Sequence, residues 1–441
     1  MLHEARGNAA GIDVGAYEVF VAVPEDRDEE NIRSFSTFTE DLQEMARWLK
    51  QCRIDTVAME STGVYWIPVF QILEAYEIEV YLVNARHVKN APGRKTDVLD
   101  CQWLQYLHSV GLLSASFRPS ANVVAIRTLL RHRENLIKSA ASHIQHIQKS
   151  LTQMNLYLHN VISHITGTTG MAIIDAILSG EHDPKVLAKL RDYRIKADEE
   201  TIAKSLVGDY KEEHLFTLKH SVDLYRYYGA LIQECDREIE SRLVTFETKR
   251  EDEPKLNPVK KKTAGTNELT FDVQSHLYKI YGVDLTQIPG ISGLGAHTIF
   301  TEIGLDIHKF KTVHHFTSWL GLSPNNKVSG GKVLSSKTSF SSNRVAKALR
   351  LAANALYNSK SYLGNYFRKM RSRLGAPKAI TATAHKLARI VYSMLTNQTP
   401  YDESVFAVEE LKSQEKLMKK LKNQASALGF TLVEAKTPES A

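Results

Sequence analysis

Apolar runs and helical spacings divide the first hundred residues into short strands and helices. GIDVG (11–15) and VFVAV (19–23) predict a two-stranded hairpin, and IRSFSTF (32–38) predicts a third strand. TEDLQEMARWLKQC has helical spacing, and we expect Thr39 to cap that helix. TVAME (56–60) and EVYLVN (79–84) predict further strands around the helical segment VYWIPVFQILEAY. Strands that alternate with helices indicate a layered α/β fold.

Beyond residue 120 the strand pattern gives way to helical spacing. The stretches 122–156 and 220–246 predict long helices of an antiparallel coiled-coil arm, and the charged stretch 249–268 predicts a linker. A Gly/Pro-rich turn and further helical stretches then predict a second, mainly α unit. We therefore expect domains at 9–118, 119–280 and 281–400, followed by a charged tail at 401–441.

Composition is that of an ordinary globular protein. Of the 441 residues, 43% are hydrophobic and 24% are charged. The N-terminal stretch lacks a signal-peptide core and no apolar run approaches the ~20 residues of a membrane span, so we expect a cytosolic protein. Three isolated cysteines, Cys52, Cys101 and Cys235, predict neither a disulfide framework nor a zinc site. The net charge of +6 is compatible with a nucleic-acid partner.

Two acids begin the helical segment DVLDCQWLQYL. Asp97 and Asp100 share one helix face with Leu104 and Leu107, so the stripe that should face a core starts with carboxylates. A buried carboxylate must be protonated, paired or bound to a cation. The alternative is an exposed first turn with Thr96 as its N-cap, where acids are favoured by the helix dipole.

Two further acids lie at strand ends. Asp13 interrupts the first strand, and Glu60 closes TVAME. Ligands of open α/β sheets bind beyond the carboxyl ends of the strands. Asp13, Glu60 and the helical pair could therefore converge, and as hard oxygen ligands they would suit one or two Mg²⁺ ions in phosphodiester cleavage. Taken singly, Asp13 can be a turn-former and Glu60 a solvated strand end.

Basic side chains cluster in three segments. The loop 84–95 adjoins the acids and could bind phosphates, although it could equally be a plain solvated loop. Residues 321–350 predict a Gly/Ser/Lys-rich loop and the start of a helix. Residues 359–378 interleave basic side chains with Tyr362, Tyr366 and Phe367, a pattern that suits nucleic-acid binding. The alternative for this last segment is an amphipathic helix with its aromatic side chains in the core. The candidate nucleic-acid contacts are Arg86, Lys89, Arg94, Lys95, Lys327, Lys332, Lys337, Arg344, Lys347, Arg350, Arg368, Lys369, Arg371 and Arg373.

Ser329 is a candidate nucleophile. Two glycines follow it, which would leave its hydroxyl unobstructed for attack on a phosphodiester and formation of a phosphoserine ester. From local chemistry alone the other serines of the loop are equally eligible: Ser335, Ser336, Ser339, Ser341 and Ser342. The segment IPGISGLGAHTIFTEIG (288–304) is similar to a helix-hairpin-helix turn that grips a phosphate, or it is a packing turn.

The order of GIDVG, VAMESTGVYW, VYLVNARHVKNAPGRKTDVLDCQWL, IPGISGLGAHTIFTEIG and GLSPNNKVSGGKVLSSK resembles the IS110/IS1111-type transposases. The resemblance spans about 9–115 and 281–396, and its most specific part is KTDVLD. It implies an N-terminal RuvC-like domain of the ribonuclease-H type, whose DEDD acids Asp13, Glu60, Asp97 and Asp100 bind Mg²⁺ or Mn²⁺. It implies a C-terminal transposase domain with Ser329 as the nucleophile. Cys101 departs from the small Ala common in the family, and 170–280 is longer and less familiar.

The resemblance also implies partners. Relatives form oligomers through a helical arm, so we expect a homodimer and an active tetramer whose site is shared between subunits. A structured non-coding guide RNA would direct the protein to donor and target DNA. We therefore expect a Mg²⁺-dependent transposase or site-specific recombinase of an insertion sequence, in the prokaryotic cytoplasm and at the nucleoid when active.

Three alternatives stay open. A RuvC-like Holliday-junction resolvase or endonuclease would hydrolyse DNA with the carboxylates alone. A kinase of the actin/hexokinase (ASKHA) type would need a second glycine-rich phosphate hairpin, which the sequence does not show. A non-catalytic DNA- or RNA-binding protein would leave the acids inert.

Overall fold

The computed structural model describes residues 6–61, 63–83, 97–250, 252, 267–339 and 341–431. The chain divides into two compact units, Met1–Arg118 and Pro119–Ala441. The further predicted boundaries at 280 and 400 stay predictions.

The first unit is built on a mixed five-stranded sheet. Its strand order is β3-β2-β1-β4-β5; β1 to β3 are antiparallel neighbours, and β4 and β5 run parallel to β1. This confirms the predicted ribonuclease-H-like mixed sheet. The strands are β1 (Ala9–Val14), β2 (Glu18–Ala22), β3 (Ile32–Ser36), β4 (Thr56–Glu60) and β5 (Glu79–Val83).

Helices cover both faces of this sheet. Helix α1 (Thr39–Gln51) and helix α2 (Trp66–Ala75) contribute to an apolar core with one face, while α3 (Asp97–Ser109) packs on the other. Alternate residues of β1 and β4 separate the two cores: Ile12 and Val57 belong to the first, and Ala58 belongs to the second with Leu104 and Leu107.

The predicted cap of α1 is wrong. Thr39 is the first residue of the helix, and Phe38 occupies the N-cap position without a side-chain hydrogen bond. Ser36 organises this helix start instead, because its hydroxyl donates to the Asp41 carboxylate and accepts a hydrogen bond from the Phe38 N–H. Helix α1 therefore begins without a side-chain cap, and Ser36 ties the end of β3 to the Asp41 side chain in the first turn.

The second unit begins with an antiparallel pair of long helices. Helix α4 (Ala121–Gln153) and its partner (Glu212–Val244, called α9 here) each have 33 residues, about 50 Å of helix. The helices between them pack around a separate apolar cluster. They are α5 (Leu158–Val161), α6 (Thr168–Leu178), α7 (Pro184–Ala188) and α8 (Glu199–Ser205).

The rest of this unit is mainly helical, as predicted, with one addition. A two-stranded hairpin, β6 (Lys327–Ser329) and β7 (Lys332–Ser335), stands where the sequence indicated a loop. Within the described residues no helix is long and apolar enough to cross a membrane. The helices are α10 (Val273–Tyr281), α11 (Gly293–Ile303), α12 (Val313–Trp319), α13 (Arg344–Ala355), α14 (Tyr362–Leu374), α15 (Ala376–Asn397) and α16 (Ala407–Ala427).

Candidate active site

Asp13 and Glu60 lie on neighbouring parallel strands and on the same face of the sheet. The register pairs Gly11 with Ala58 and Ile12 with Met59, so the next step along both strands sets Asp13 beside Glu60. Parallel neighbours lie about 4.8 Å apart, and paired residues project to the same side. Both carboxylates therefore stand at the carboxyl ends of β1 and β4, where open α/β sheets bind their ligands.

Helix α3 crosses this face in very close contact with β1. A Cβ on Gly11 would lie 2.2 Å from the Cys101 carbonyl oxygen and 2.3 Å from the Gln105 nitrogen, so only glycine fits. The Gln105 side chain donates to the Ala9 carbonyl over 3.3 Å, near the start of the strand. The helix therefore runs antiparallel to β1, and its first turn, with Asp97 and Asp100, lies toward the Asp13 end.

The environment of Cys101 reports the negative charge at this edge. Burial raises the pKa of its thiol to about 12, and the charges of Asp13 and Asp100 act in the same direction. Both carboxylates therefore lie within electrostatic reach of one sulfur atom. We call the carboxyl end of β1 and β4 with the first turn of α3 the acidic edge.

Within the part of the chain that the structure describes, the acidic edge has the donor chemistry, but not the assembled geometry, of a site for a hard divalent cation. Asp13, Glu60 and Asp100 supply carboxylate oxygens, the ligands that Mg²⁺ prefers. Among the described residues, no three His, Cys, Asp or Glu side chains are arranged closely enough to hold a metal ion. The backbone of Asp97 is described and its side chain is not, so the full quartet stays a prediction.

Ser329 lies in the second unit, at the tip of the β6–β7 hairpin. It pairs with Lys332 across the turn, and the two intervening glycines have φ of +53° and +75°. Positive φ at both central residues is typical of a type I′ hairpin turn, which favours Gly-Gly. The serine is exposed, and the base of the hairpin is closed by a hydrogen bond from the Asn325 N–H to the Lys337 carbonyl, 3.0 Å.

The predicted basic contacts differ in their roles. Arg344 pairs with Glu134 of α4, and the Arg368 guanidinium donates to the carbonyls of Tyr357 and Ser359 at 2.9 and 2.6 Å, so both hold the fold together. Arg86, Lys89, Arg94 and Lys95 lie outside the described residues. Arg350 is partly exposed, and the others are exposed: Lys327, Lys332, Lys337, Lys347, Lys369, Arg371 and Arg373.

Two alternatives gain support from packing. In α14, Tyr362 and Phe367 are buried, which agrees with an amphipathic helix whose aromatics enter the core. At the helix-hairpin-helix-like turn, Gly290 has φ of +92°, and a Cβ there would lie 2.6 Å from the Ala352 carbonyl of α13. That glycine serves close packing.

Two exposed aromatic side chains at the same end of the sheet as the acidic edge were not predicted from the sequence. Tyr17, in the β1–β2 turn, is 85% exposed, and Phe38, after β3, is 75% exposed. The one sequence signal for such a surface was Tyr17, an aromatic residue in a turn, four positions after the candidate acid Asp13. Hydrophobic patterning alone assigns such residues to a core.

A five-stranded mixed sheet of this order, with carboxylates at the carboxyl end of its parallel strands, is the architecture of the ribonuclease-H-like class. Two family profiles, both described as transposases, match the chain: one of the IS110 type at residues 10–156, and one of the IS116/IS110/IS902 family at 284–368. Together these segments make up just over half of the chain. The protein belongs to the IS110 family of transposases.

Curated relatives agree with this assignment. The chain is 29% identical over 119 residues to the transposase for insertion sequence element IS1111A of Coxiella burnetii, covering 26% of this chain and 32% of the relative. It is 30% identical over 132 residues to an uncharacterized 43.6 kDa protein of insertion element IS110 from Streptomyces coelicolor, covering 29% and 32%. The alignments span about a third of each relative's length.

Proposed function

We propose that this protein is a DNA transposase that cuts and rejoins strands of an insertion sequence, with the acidic edge binding Mg²⁺ or Mn²⁺ and Ser329 acting as the nucleophile. The observation that carries the proposal is the convergence of Asp13 and Glu60 on one sheet face under the first turn of α3. Family membership supplies the substrate class, DNA.

Asp13, Glu60, Asp97 and Asp100 would hold the metal. When bound, it would neutralise the scissile phosphate and stabilise charge that develops on the phosphate oxygens. The carboxylates would set the position of that metal, because β1, β4 and α3 carry them. The tight packing of α3 on Gly11 holds the backbones of these elements together, so the carboxylate side chains would close around the ion by changes of rotamer.

Ser329 would attack the phosphorus atom with its Oγ. The new Oγ–P bond replaces the bond to one strand oxygen, which leaves as a hydroxyl after taking up a proton, and the hydroxyl proton of the serine passes to solvent or base. An incoming strand hydroxyl reverses the step and restores the serine. Exposed Lys327 and Lys332 on the same hairpin would stabilise the additional negative charge.

Adduct trapping tests the nucleophile. Full-length protein is incubated with end-labelled DNA carrying the element's ends and Mg²⁺, then denatured, and a labelled protein band is sought. Ser329→Ala should abolish the band, and the matched variant Ser336→Ala, in the same exposed segment, should retain it. Cleavage without any adduct in the parent protein would instead support the hydrolytic resolvase, and an adduct in Ser329→Ala would contradict the assignment.

The guide RNA and the oligomer also belong to this proposal. Exposed cations across the second unit and the net charge of +6 suit a nucleic-acid backbone. Purification from cells that carry the whole element should yield a protein–RNA complex, and RNase treatment should abolish strand cutting. Light scattering before and after RNA binding should show dimers and then tetramers; a monomer in both conditions would contradict the shared site.

A further inference from the structure

We propose that Tyr17 and Phe38 form a stacking surface for unpaired bases at the end of the sheet that carries the acidic edge, so that the strand cut at that edge is held single-stranded. This inference rests on the proposed function and adds the form of the nucleic acid that the site accepts. Both rings are large and apolar, and both are more exposed than a core residue would be, at 85% and 75%.

The two residues lie at the same end of the sheet as Asp13. Strand β1 ends just before the turn that carries Tyr17, and β3 ends just before Phe38. Ser36, the last residue of β3, pairs with Glu18, the first residue of β2, so both segments lie at the same end of the sheet. A hydrogen bond from the Thr37 N–H to the Tyr17 carbonyl, 3.2 Å, joins the two segments. The backbones that carry the rings are therefore direct neighbours.

These backbones are held firmly while the rings remain outside. The Gly15 N–H donates to the Glu18 carbonyl over 2.9 Å and closes the β1–β2 turn. The Phe38 N–H donates to the Ser36 hydroxyl over 3.3 Å, and its carbonyl accepts from Leu42 over 3.0 Å as the first turn of α1. A surface whose backbone is ordered before binding loses little entropy when it binds a planar ligand.

The surface adjoins a depression beside the candidate acid. It has a volume of about 490 Å³ and is lined by Asp13 to Glu18 and by Phe20, a size within the range of small-ligand sites. A group held there would reach Asp13 and Tyr17 together.

Charge decides which part of a nucleic acid suits this surface. Glu18 follows Tyr17 and Glu40 lies two residues after Phe38, and both carboxylates are exposed. They disfavour a phosphate backbone lying against the rings, whereas the π-face of a base is uncharged and stacks on aromatic side chains irrespective of sequence. Bases must leave a duplex to stack in this way, so the geometry points to an unpaired strand.

The test measures binding of a mixed-sequence 20-nucleotide DNA strand containing 2-aminopurine, whose fluorescence falls when it stacks. Full-length Tyr17→Ala and Phe38→Ala variants should each bind the strand about tenfold more weakly and lose the fluorescence change. The ring-preserving variants Tyr17→Phe and Phe38→Tyr should behave as the parent. Tyr193→Ala, which removes a ring 86% exposed in the second unit, is the matched control and should change nothing.

Further measurements separate this inference from the proposed function. Binding of a blunt duplex of the same sequence should be unchanged in the alanine variants, and their unfolding midpoints should equal the parent's because the rings are exposed. Equal losses for duplex and single strand, no loss at all, or loss of self-association instead of strand binding would each overturn the inference. Asp13→Asn should still quench 2-aminopurine and no longer cut DNA; if it cuts normally, the proposed function fails whatever the aromatic variants do.

Discussion

A buried ion pair joins the two long helices of the second unit. Arg133 of α4 is 1% exposed and Asp236 of α9 is fully buried, and two guanidinium nitrogens bond the two carboxylate oxygens. The same guanidinium donates to the carbonyls of Asn267 and Glu268, at 3.1 and 2.8 Å. One arginine therefore fixes the register of the helix pair and holds the backbone at residues 267 and 268.

We expect Asp236→Ala to destabilise the second unit by about 3–5 kcal/mol, because it leaves the guanidinium buried without its counter-charge. The double variant Arg133→Met/Asp236→Leu should recover most of that loss, since an apolar pair of similar volume removes the desolvation cost of both ions. The Asn267 and Glu268 carbonyls would lose their donor, so recovery should fall short of complete.

Urea unfolding followed by circular dichroism measures these differences. The matched control is Asp175→Ala, because Asp175 pairs with Arg226 of α9 on the surface with both side chains nearly half exposed. Its loss should be below about 1 kcal/mol. An Asp236→Ala cost as small as that of the control, or a double variant no more stable than the single one, would refute the argument that the cost comes from a buried guanidinium left without its counter-charge.

Three other changes test the packing and the titration of single groups. Gly11→Ala should destabilise the first unit by about 3 kcal/mol or more and abolish DNA cutting, since the alanine Cβ would lie 2.2 Å from the α3 backbone. Gly229→Ala, with open space around it, is the control and should be neutral or slightly stabilising when both variants are unfolded in urea. Burial lowers the pKa of His108 to about 4, so on acidification the unfolded chain is protonated at this histidine before the folded protein is. The free energy of unfolding should therefore be highest above pH 6.5 and fall by up to ~3 kcal/mol as the pH drops toward 4. In a pH series of thermal melts, His108→Leu should show a weaker dependence of this free energy on pH, by the uptake of one proton. Gly331→Val should slow adduct formation at Ser329 without changing duplex binding, because valine at φ of +75° strains the turn; unchanged adduct kinetics would contradict a role for the turn.

Sequence patterning predicted the regular elements of the fold well because their signals are local. The strand TVAME and the long helices of the arm carry their periodicity within a few residues, and each was found close to its predicted place. The β6–β7 hairpin was missed because Ser329 and Lys332 pair through a Gly-Gly turn in strands too short to show alternation. The predicted cap of α1 was wrong because the helix begins at Thr39 itself, which leaves Phe38, a residue without a capping side chain, at the N-cap position.

The acidic edge shows which features of a site can be predicted from sequence patterns and which cannot. Strand parity places Asp13 and Glu60 on one face once the register of β1 and β4 is known. Both strands are buried on both faces, so their sequences show no alternation from which that register could be predicted. The position of the helical acids depends on a tertiary contact, the approach of α3 to Gly11, which leaves no periodic trace in the sequence.

Gly11 also explains why the acids can share an edge at all. Any side chain at this position would push α3 away from β1 by the depth of at least a methyl group, and the first turn of the helix would move with it. Asp100 would then move away from Asp13. The aspartate side chain is short, so the two carboxylates can meet only while the helix and the strand stay close. The absence of a side chain at Gly11 therefore lets the Asp100 carboxylate on the helix approach Asp13 on the strand. The geometry of the candidate metal site depends on one residue that carries no functional group.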